Sequence, residues 1–244
     1  MISGFTYIHN AIEGGYPIRE SVNAVRPFVD EIVVVDCQST DGTSEILKNL
    51  NVRIIKGNWG TRAGETLKHA HAMNIQCCNE IIIHFEADEV YHEKLILNII
   101  NEIKAGNYEL SVHRLQLEQN FQRCRWYPTP CHRIFKRGTA TKDGESTKQH
   151  KQYNQTKILS PEFGYLYDIT NCFRDSWFSR INNQQKLRND SGNYLMCMKH
   201  IANSPNITKE QTQELIASDH WLWKTSPFDI PAILKPLVGK TKYS

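Results

Sequence analysis

An apolar run that ends in carboxylates is the strongest chemical signal in this chain: Ile81-Ile82-Ile83-His84-Phe85 leads at once into Glu86-Ala87-Asp88-Glu89. A short run rich in β-branched residues reads as a buried strand. Acidic groups just past the end of such a strand stand where open α/β sheets bind their ligands. Three carboxylates crowded together repel one another, and a divalent cation relieves that cost. The residues therefore predict a metal and phosphate site at a strand end. Three further segments supply polar groups: His9-Asn10 after an apolar opening, Asp36 with the turn Ser39-Thr40-Asp41-Gly42-Thr43, and Asn58-Trp59-Gly60-Thr61-Arg62. Acids for a cation, a basic residue (Arg62, with Lys68 nearby) and Asp36 for a hydrogen-bonding base suit a nucleoside diphosphate with Mg²⁺ or Mn²⁺. Taken singly these are ordinary turn chemistry, Asp41-Gly42 as a turn pair and Asn10 as a helix cap. Their coincidence carries the reading.

For these groups to share one crevice, their strands must be parallel neighbours in one sheet. The first half of the chain has that rhythm. Strands are expected over Gly4 to His9, Ile32 to Val35, Val52 to Ile55 and the Ile81 run. Between them, Pro17 starts a helical pattern through Ile18, Val22, Val25 and Val29, and the Ser39 to Thr43 turn opens a helix through Ile46, Leu47 and Leu50. Residues 61–77 read as helical, and a helix through Leu95, Ile99 and Ile103 follows the acidic run, with Glu89 as a charge at its start favoured by the macrodipole. This alternation predicts an α/β fold, a mostly parallel sheet flanked by helices. Later, Leu110 to Leu115 and His132 to Lys136 read as strands, Gly138 to Thr156 as a polar loop, Phe173 to Leu187 and Lys209 to Trp223 as helices, and Pro227 to Ser244 as an extended tail packed on the body. The expected division is a nucleotide-binding catalytic core over 1–160 and a helical C-terminal extension over 161–244.

Bulk properties narrow the classes. With 244 residues, 40% hydrophobic and 23% charged, the chain can bury a full core and has ordinary globular composition. No apolar run approaches the ~20 residues needed to cross a bilayer. The opening residues carry no charged and cleavable apolar segment, and the seven cysteines show no CxxC spacing. Both point to reduced thiols in a cytoplasmic protein rather than a disulfide framework or a zinc site. The net charge is +3, but Arg114 to Lys157 holds ten Lys or Arg against Glu118, Asp143 and Glu145. That stretch is either a face for an anionic partner or a solvated loop. No GxGxxG follows the first strand, and Gly239-Lys240-Thr241 has Leu234 where a P-loop needs its first glycine.

The sequence resembles the family 2 glycosyltransferases with the GT-A fold. The likeness lies in Ile32-Val33-Val34-Val35-Asp36-Cys37-Gln38-Ser39-Thr40-Asp41-Gly42-Thr43, close to VVVDxxSTDGT, and Phe85-Glu86-Ala87-Asp88-Glu89-Val90, close to xDADEv. Gly4 to Ala11 with Gly15-Tyr16-Pro17, then Trp126-Tyr127-Pro128 and Arg133-Ile134-Phe135-Lys136-Arg137-Gly138, extend it over roughly residues 2–150. The resemblance implies that Tyr7 and Asn10 border a nucleobase pocket, Asp36 hydrogen-bonds the base and Arg62 approaches the diphosphate. It implies that Glu86 and Asp88 hold the DxD-type positions, with Asp88 the direct metal ligand and the longer Glu86 on the metal or the ribose. A third metal ligand is implied at Asp168, where the family carries a histidine, or at His150. The general base on the acceptor is implied at Glu145, with Asp143 as runner-up; the bland alternative is a turn and a solvated acid. The implied activity is inverting transfer from a nucleotide sugar, a UDP-sugar with Mn²⁺ or Mg²⁺, to a surface saccharide, a lipid-linked saccharide or a modified DNA base. A non-catalytic module that holds a nucleotide or saccharide is the alternative, and a nucleotidyltransferase ranks below it because His9-Asn10-Ala11-Ile12-Glu13 stands where a Gly-rich loop belongs.

Overall fold

Two sheets share the chain and exchange it at the acidic turn. The computed structural model describes residues 1–59, 69–118, 121, 123–126, 130–139, 156–171, 224–225, 230–238 and 240. In the larger sheet, strands β1 (Ile2–Ile8), β2 (Glu31–Asp36), β3 (Arg53–Lys56) and β4 (Ile81–His84) run parallel in the order β3-β2-β1-β4. The β-branched runs of β2 and β4 are buried on both faces, as a parallel sheet covered by helices requires. Val34, Ile81 and Ile83 pack with one apolar cluster, while Val33, Val35 and Ile82 pack with another.

Helices α1 (Ala11–Gly14), α2 (Ile18–Val25), α3 (Thr43–Asn49) and α4 (Glu93–Lys104) supply the covering layers. Ile18, Val22 and Val25 of α2, Leu47 of α3, and Leu95, Ile96 and Ile99 of α4 line one cluster. Helix α2 stops short of the expected Val29, because Pro27 turns the chain into a short 3-10 segment and Val29 is extended. Of the helix expected over 61–77, residues 69–72 are helical and Met73–Gln76 form a 3-10 turn; the rest lies outside the described residues.

Beyond β4 the chain departs from a simple alternation. Residues 89–91 form β5 (Glu89–Tyr91), and α4 starts only at Glu93, with the His92 ring accepting from the Lys94 amide. The expectation that Glu89 marks a helix start is thus corrected: it is a fully buried strand residue. The stretch expected as one strand over 110–115 is two, β6 (Leu110–Val112) and β7 (Arg114–Glu118), in different sheets. Strand β8 (Arg123–Trp126) pairs with β7, and β9 (Cys131–Lys136) enters the large sheet antiparallel between β4 and β6. Strand β10 (Lys157–Ile158) adds the outer edge. The second sheet has the order β12-β8-β7-β11-β5, with β11 (Leu166–Asn171) and β12 (Lys224–Thr225). The boundary expected at residue 160 falls between β10 and β11, and β11 is an inner strand of this sheet. The helices expected over 173–223 lie outside the described residues. No helix among the described residues is long and apolar enough to cross a membrane.

The described part of the tail, residues 230–238, packs on the body, but as a 3-10 helix and not as the expected extended segment. A 3-10 helix over Ala232–Leu237 inserts Leu234 and Leu237 among Val90, Leu115, Leu117, Tyr165, Tyr167 and Ile169, on the second sheet. The Ala232 amide also donates to Glu93 Oε1 at 2.7 Å. Leu234→Ala leaves a cavity in this cluster, and a loss of about 2–5 kcal/mol is expected, read as a lower midpoint in urea unfolding.

Candidate functional site

The parallel strands bring the polar ends of β1, β2, β3 and β4 to one edge of the large sheet. At the β2 end, Asp36 is nearly buried and its carboxylate is oriented by the Ser39 amide at 3.0 Å and the Ser44 hydroxyl. Next to it, the Ser39 to Thr43 turn is bound to the loop after β1. The Thr40 amide donates to Asn10 Oδ1 at 2.8 Å, the Asn10 amide donates to Ser39 Oγ at 3.0 Å, and the Glu13 amide donates to Asp41 Oδ2 at 2.8 Å. Asn10 takes a left-handed conformation, φ 48°, suited to its short polar side chain. Its side chain therefore serves the bracket between two loops at the mouth of the crevice. Tyr7 is half-buried and stacks on His84, ring centroids 5.7 Å apart. Trp59, after β3, stacks on His9 at 4.2 Å, and His9 Nδ1 lies 2.7 Å from the Cys37 carbonyl. Gly57 lets the chain after β3 pass close to the end of β2, since a Cβ there would lie 2.6 Å from Val35 Cγ1.

The acidic turn itself is fixed at successive peptide groups. The Phe85 amide donates to the Phe5 carbonyl, and Tyr91 Oη donates to the His84 carbonyl at 2.8 Å. Glu89 N donates to the Glu86 carbonyl, Ser21 Oγ to the Ala87 carbonyl at 2.9 Å, and Ile169 N to the Asp88 carbonyl. Beneath the turn lies a charged network that the sequence reading missed. Arg133, fully buried on β9, pairs in bidentate fashion with Glu89, Nη2 to Oε1 at 2.6 Å and Nε to Oε2 at 2.9 Å. Its Nη2 also reaches Glu86 Oε1 at 2.9 Å. Arg114 adds a contact to Glu89 at 3.3 Å and lies 3.9 Å from Asp168. Burial pushes the Glu89 carboxyl upward, but the charge and hydrogen bonds of Arg133 outweigh it and hold the group below the ordinary carboxylate range. Glu86 shifts upward, first through desolvation and then through the Glu89 charge. The signal for this network in the sequence was the arginine of Arg133-Ile134-Phe135, an ionic residue at an otherwise apolar strand position.

The expected site residues separate accordingly. Asp36, Asn10, Tyr7, Glu86 and Asp88 stand at the strand ends of one sheet edge. Asp88 is partly exposed, whereas Asp168 is buried across from Glu89 in the β5–β11 pairing and close to Arg114. Among the described residues no three acidic, histidine or cysteine side chains gather as a ready metal cage. The carboxylates of the turn are oxygen donors, the type that hard divalent cations take. Arg62, Asp143, Glu145 and His150 lie outside the described residues.

A second feature lies behind the site. His71 and His84 are fully buried, 5.1 Å apart by ring centroids, among Phe5 and Phe135. None of their ring nitrogens has a hydrogen-bond partner among the described residues. Burial, followed by the charge of Arg133, lowers the His71 pKa to about 4 and places His84 well below its ordinary value. Unfolding returns both to the ordinary ~6.5, so the unfolded chain takes up protons more readily. Their contribution is complete above that pH and falls as pH drops through the window between ~6.5 and ~4. Urea unfolding at about pH 7 and about pH 5.5 is expected to show His71→Phe and His84→Phe losing less stability on acidification than the parent, by up to ~1.4 kcal/mol per pH unit.

The chain is similar to known glycosyltransferases. The profile of the family described as "Glycosyl transferase family 2" matches residues 8–167. An uncharacterized glycosyltransferase of Rickettsia typhi is 33% identical over 78 residues, 32% of this chain and 25% of the relative. The match thus spans about a quarter of that relative's length. Among solved structures, glucosyl-3-phosphoglycerate synthase from Mycobacterium tuberculosis, in complex with Mn²⁺, UDP and phosphoglyceric acid, aligns at 18% identity over 48% of this chain and 43% of that one, TM-score 0.37. S. aureus TarS aligns at 15% identity over 89% and 42%, TM-score 0.45. With its profile match running from the end of β1 into β11, the chain belongs to glycosyl transferase family 2.

Proposed function

We propose that the protein transfers a sugar from a UDP-sugar to a saccharide hydroxyl, with inversion at the anomeric carbon and with Mn²⁺ or Mg²⁺ as cofactor. The observation that carries the reading is the rigid acidic turn at the same sheet edge as the oriented Asp36 carboxylate. Asp36, held by Ser39 and Ser44, accepts a hydrogen bond from the base, with Tyr7 and the Asn10 bracket bordering it. Asp88 faces the diphosphate, and Arg62 supplies it with a positive charge. A divalent cation bound with the donor would offset charge on the departing diphosphate. Glu145, or Asp143, takes the proton of the acceptor hydroxyl as its oxygen bonds to the anomeric carbon and the bond from that carbon to the phosphate oxygen breaks. Holding both substrates in one crevice lowers the barrier through orientation.

Of the acceptors, a saccharide is favoured over a DNA base. The basic excess in 114–157 suggested an anionic partner, yet five of its members have partners in the protein itself. Arg114 and Arg133 face carboxylates in the interior, Lys157 pairs with Glu102 at 2.7 Å, Lys136 lies 3.7 Å from Glu80, and Arg137 donates to the Cys77 carbonyl. A DNA acceptor predicts duplex binding that falls steeply with salt.

UDP with Mn²⁺ is expected to raise the melting temperature of the full chain, since ligand binding to the native state adds to its stability. Asp88→Ala is expected to lower UDP-sugar turnover by roughly 10²–10³-fold, the size seen when a transition-state charge contact is removed. Unchanged turnover in Asp88→Ala, or no shift with UDP and Mn²⁺, refutes the proposal.

A further inference from the structure

Helix α2 turns one face toward the interior, formed by Ile18, Ser21, Val22 and Val25, all of them fully buried. Ser21 is the polar member of that stripe. An alanine there forms helix more readily and places no hydroxyl in an apolar layer. A buried hydroxyl is sustained by the groups it bonds. Ser21 Oγ lies 3.1 Å from the Pro17 carbonyl, one turn back, and 2.9 Å from the Ala87 carbonyl of the acidic turn. It has one proton to donate. The Pro17 carbonyl already accepts the Ser21 amide at 2.9 Å, so the proton serves Ala87. Ala87 stands between Glu86 and Asp88, and its carbonyl belongs to the peptide that enters Asp88. The Asp88 carbonyl belongs to the peptide that leaves it, and it accepts the Ile169 amide of β11 at 2.9 Å. Peptide groups are planar, and only the rotations φ and ψ lie between the two planes that flank a residue. Holding both planes from outside fixes both rotations, and with them the direction of the Asp88 Cα–Cβ bond.

We infer that Ser21 is a positioning residue for the diphosphate end of the crevice: its buried hydroxyl locks the peptide between Ala87 and Asp88 and so sets the direction in which the Asp88 side chain leaves the turn. This rests on the proposed nucleotide-sugar reading and adds to that site a residue from a helix that carries none of its acids. The direction is set in the same way whether the Asp88 carboxylate meets a group of the protein or of the ligand. Of the two anchors, Ile169 acts through its backbone, and Ser21 acts through a side chain that substitution can remove. Without the hydroxyl, the Ala87 carbonyl loses its donor and its peptide turns toward another partner. Small errors of direction are costly at a reacting centre, where a misplacement of about 1 Å lowers rates by ~10²-fold. The Asp36 carboxylate is held separately, by Ser39 and Ser44, so base recognition there does not pass through Ser21.

The test measures the affinity of the full chain for UDP by calorimetry, with and without Mn²⁺. In the parent, Mn²⁺ is expected to tighten UDP binding about tenfold or more, since the cation bridges carboxylate and phosphates. Ser21→Ala is expected to keep UDP affinity without Mn²⁺ within about threefold and to lose about fivefold or more of the gain that Mn²⁺ brings. Ser21→Thr keeps the hydroxyl and is expected to restore the gain. Val25→Ala removes packing from the same face, beside Gly4 of β1. It is expected to lower the melting temperature at least as far as Ser21→Ala does, yet to keep the parental Mn²⁺ gain. A merely structural serine predicts that the two variants behave alike. Ser21→Ala with the parental gain, or Val25→Ala with an equal loss of it, overturns the inference and leaves the donor reading intact. A parent chain whose UDP affinity is indifferent to Mn²⁺ overturns the donor reading and the inference with it. Ser21→Cys, a weaker donor of similar size, is expected to fall between Ser21→Ala and the parent. A full parental gain in Ser21→Cys overturns the inference even where Ser21→Ala does not fold.

Discussion

The buried pairing of Arg133 with Glu89 is the constraint on which the site's geometry depends. Arg133 lies on β9 in the large sheet and Glu89 on β5 in the small one, so their bidentate contact ties the two sheets together. The chain crosses between the same sheets in the Glu86 to Asp88 turn, directly above. Loss of one partner leaves an uncompensated charge in the interior, a defect of about 3–5 kcal/mol in comparable pairs. Arg114, reaching Glu89 from β7 of the small sheet, supplies a second positive charge where two and more carboxylates meet. The network therefore settles local charge as well as the relative placement of strands.

Around that pair the turn is held by groups from distant parts of the chain. Ser21 on α2, Tyr91 on β5 and Ile169 on β11 each secure a different carbonyl. Each bond is modest alone, about 0.5–1.5 kcal/mol net. Together they restrict the turn to one backbone shape before any ligand arrives. A site built this way need not reorganise as charge develops, and such preorganisation is the main source of electrostatic stabilisation in enzymes. The β1 and β2 ends are arranged on the same plan. Asn10, Ser39, Thr40, Asp41 and Glu13 form a lattice of hydrogen bonds between two loops, and Asp36 sits at its inner edge.

The apolar environment explains the two silent histidines. His84 ends β4 and His71 faces it, and both are neutral because burial disfavours their charged forms. They pack as flat apolar rings between Phe5, Phe135 and Tyr7. The acidic chemistry of the turn thus begins one residue after Phe85, where the chain leaves this layer and reaches the crevice.

Local sequence determined the parallel half of the fold. The β-branched runs of β2 and β4, the glycine and acid turn before α3, and the apolar spacing of α2 and α4 each stabilise their own element, so periodicity and turn chemistry reveal them. The same reasoning placed Asp36, Asn10 and Asp88 at strand ends, since parallel order puts those ends on one edge. Strand β5, the split of 110–118 between two sheets and the partner of Glu89 were not legible in this way. Three residues of β5 carry too short a pattern to distinguish a strand from the start of a helix, and the acidic run invited the helical reading. Their state is set by pairing with β11, which lies over seventy residues downstream. Arg133 shows the same limit from the other side. Its type was plain in the sequence, but whether a lone arginine in an apolar strand faces water, phosphate or a carboxylate is fixed only when non-local strands bring the counter-charge to it. The sequence by itself determined which chemistry the crevice can hold; tertiary structure decided which acids pair with arginine in the interior, because desolvation and charge pairing act through space and not along the chain.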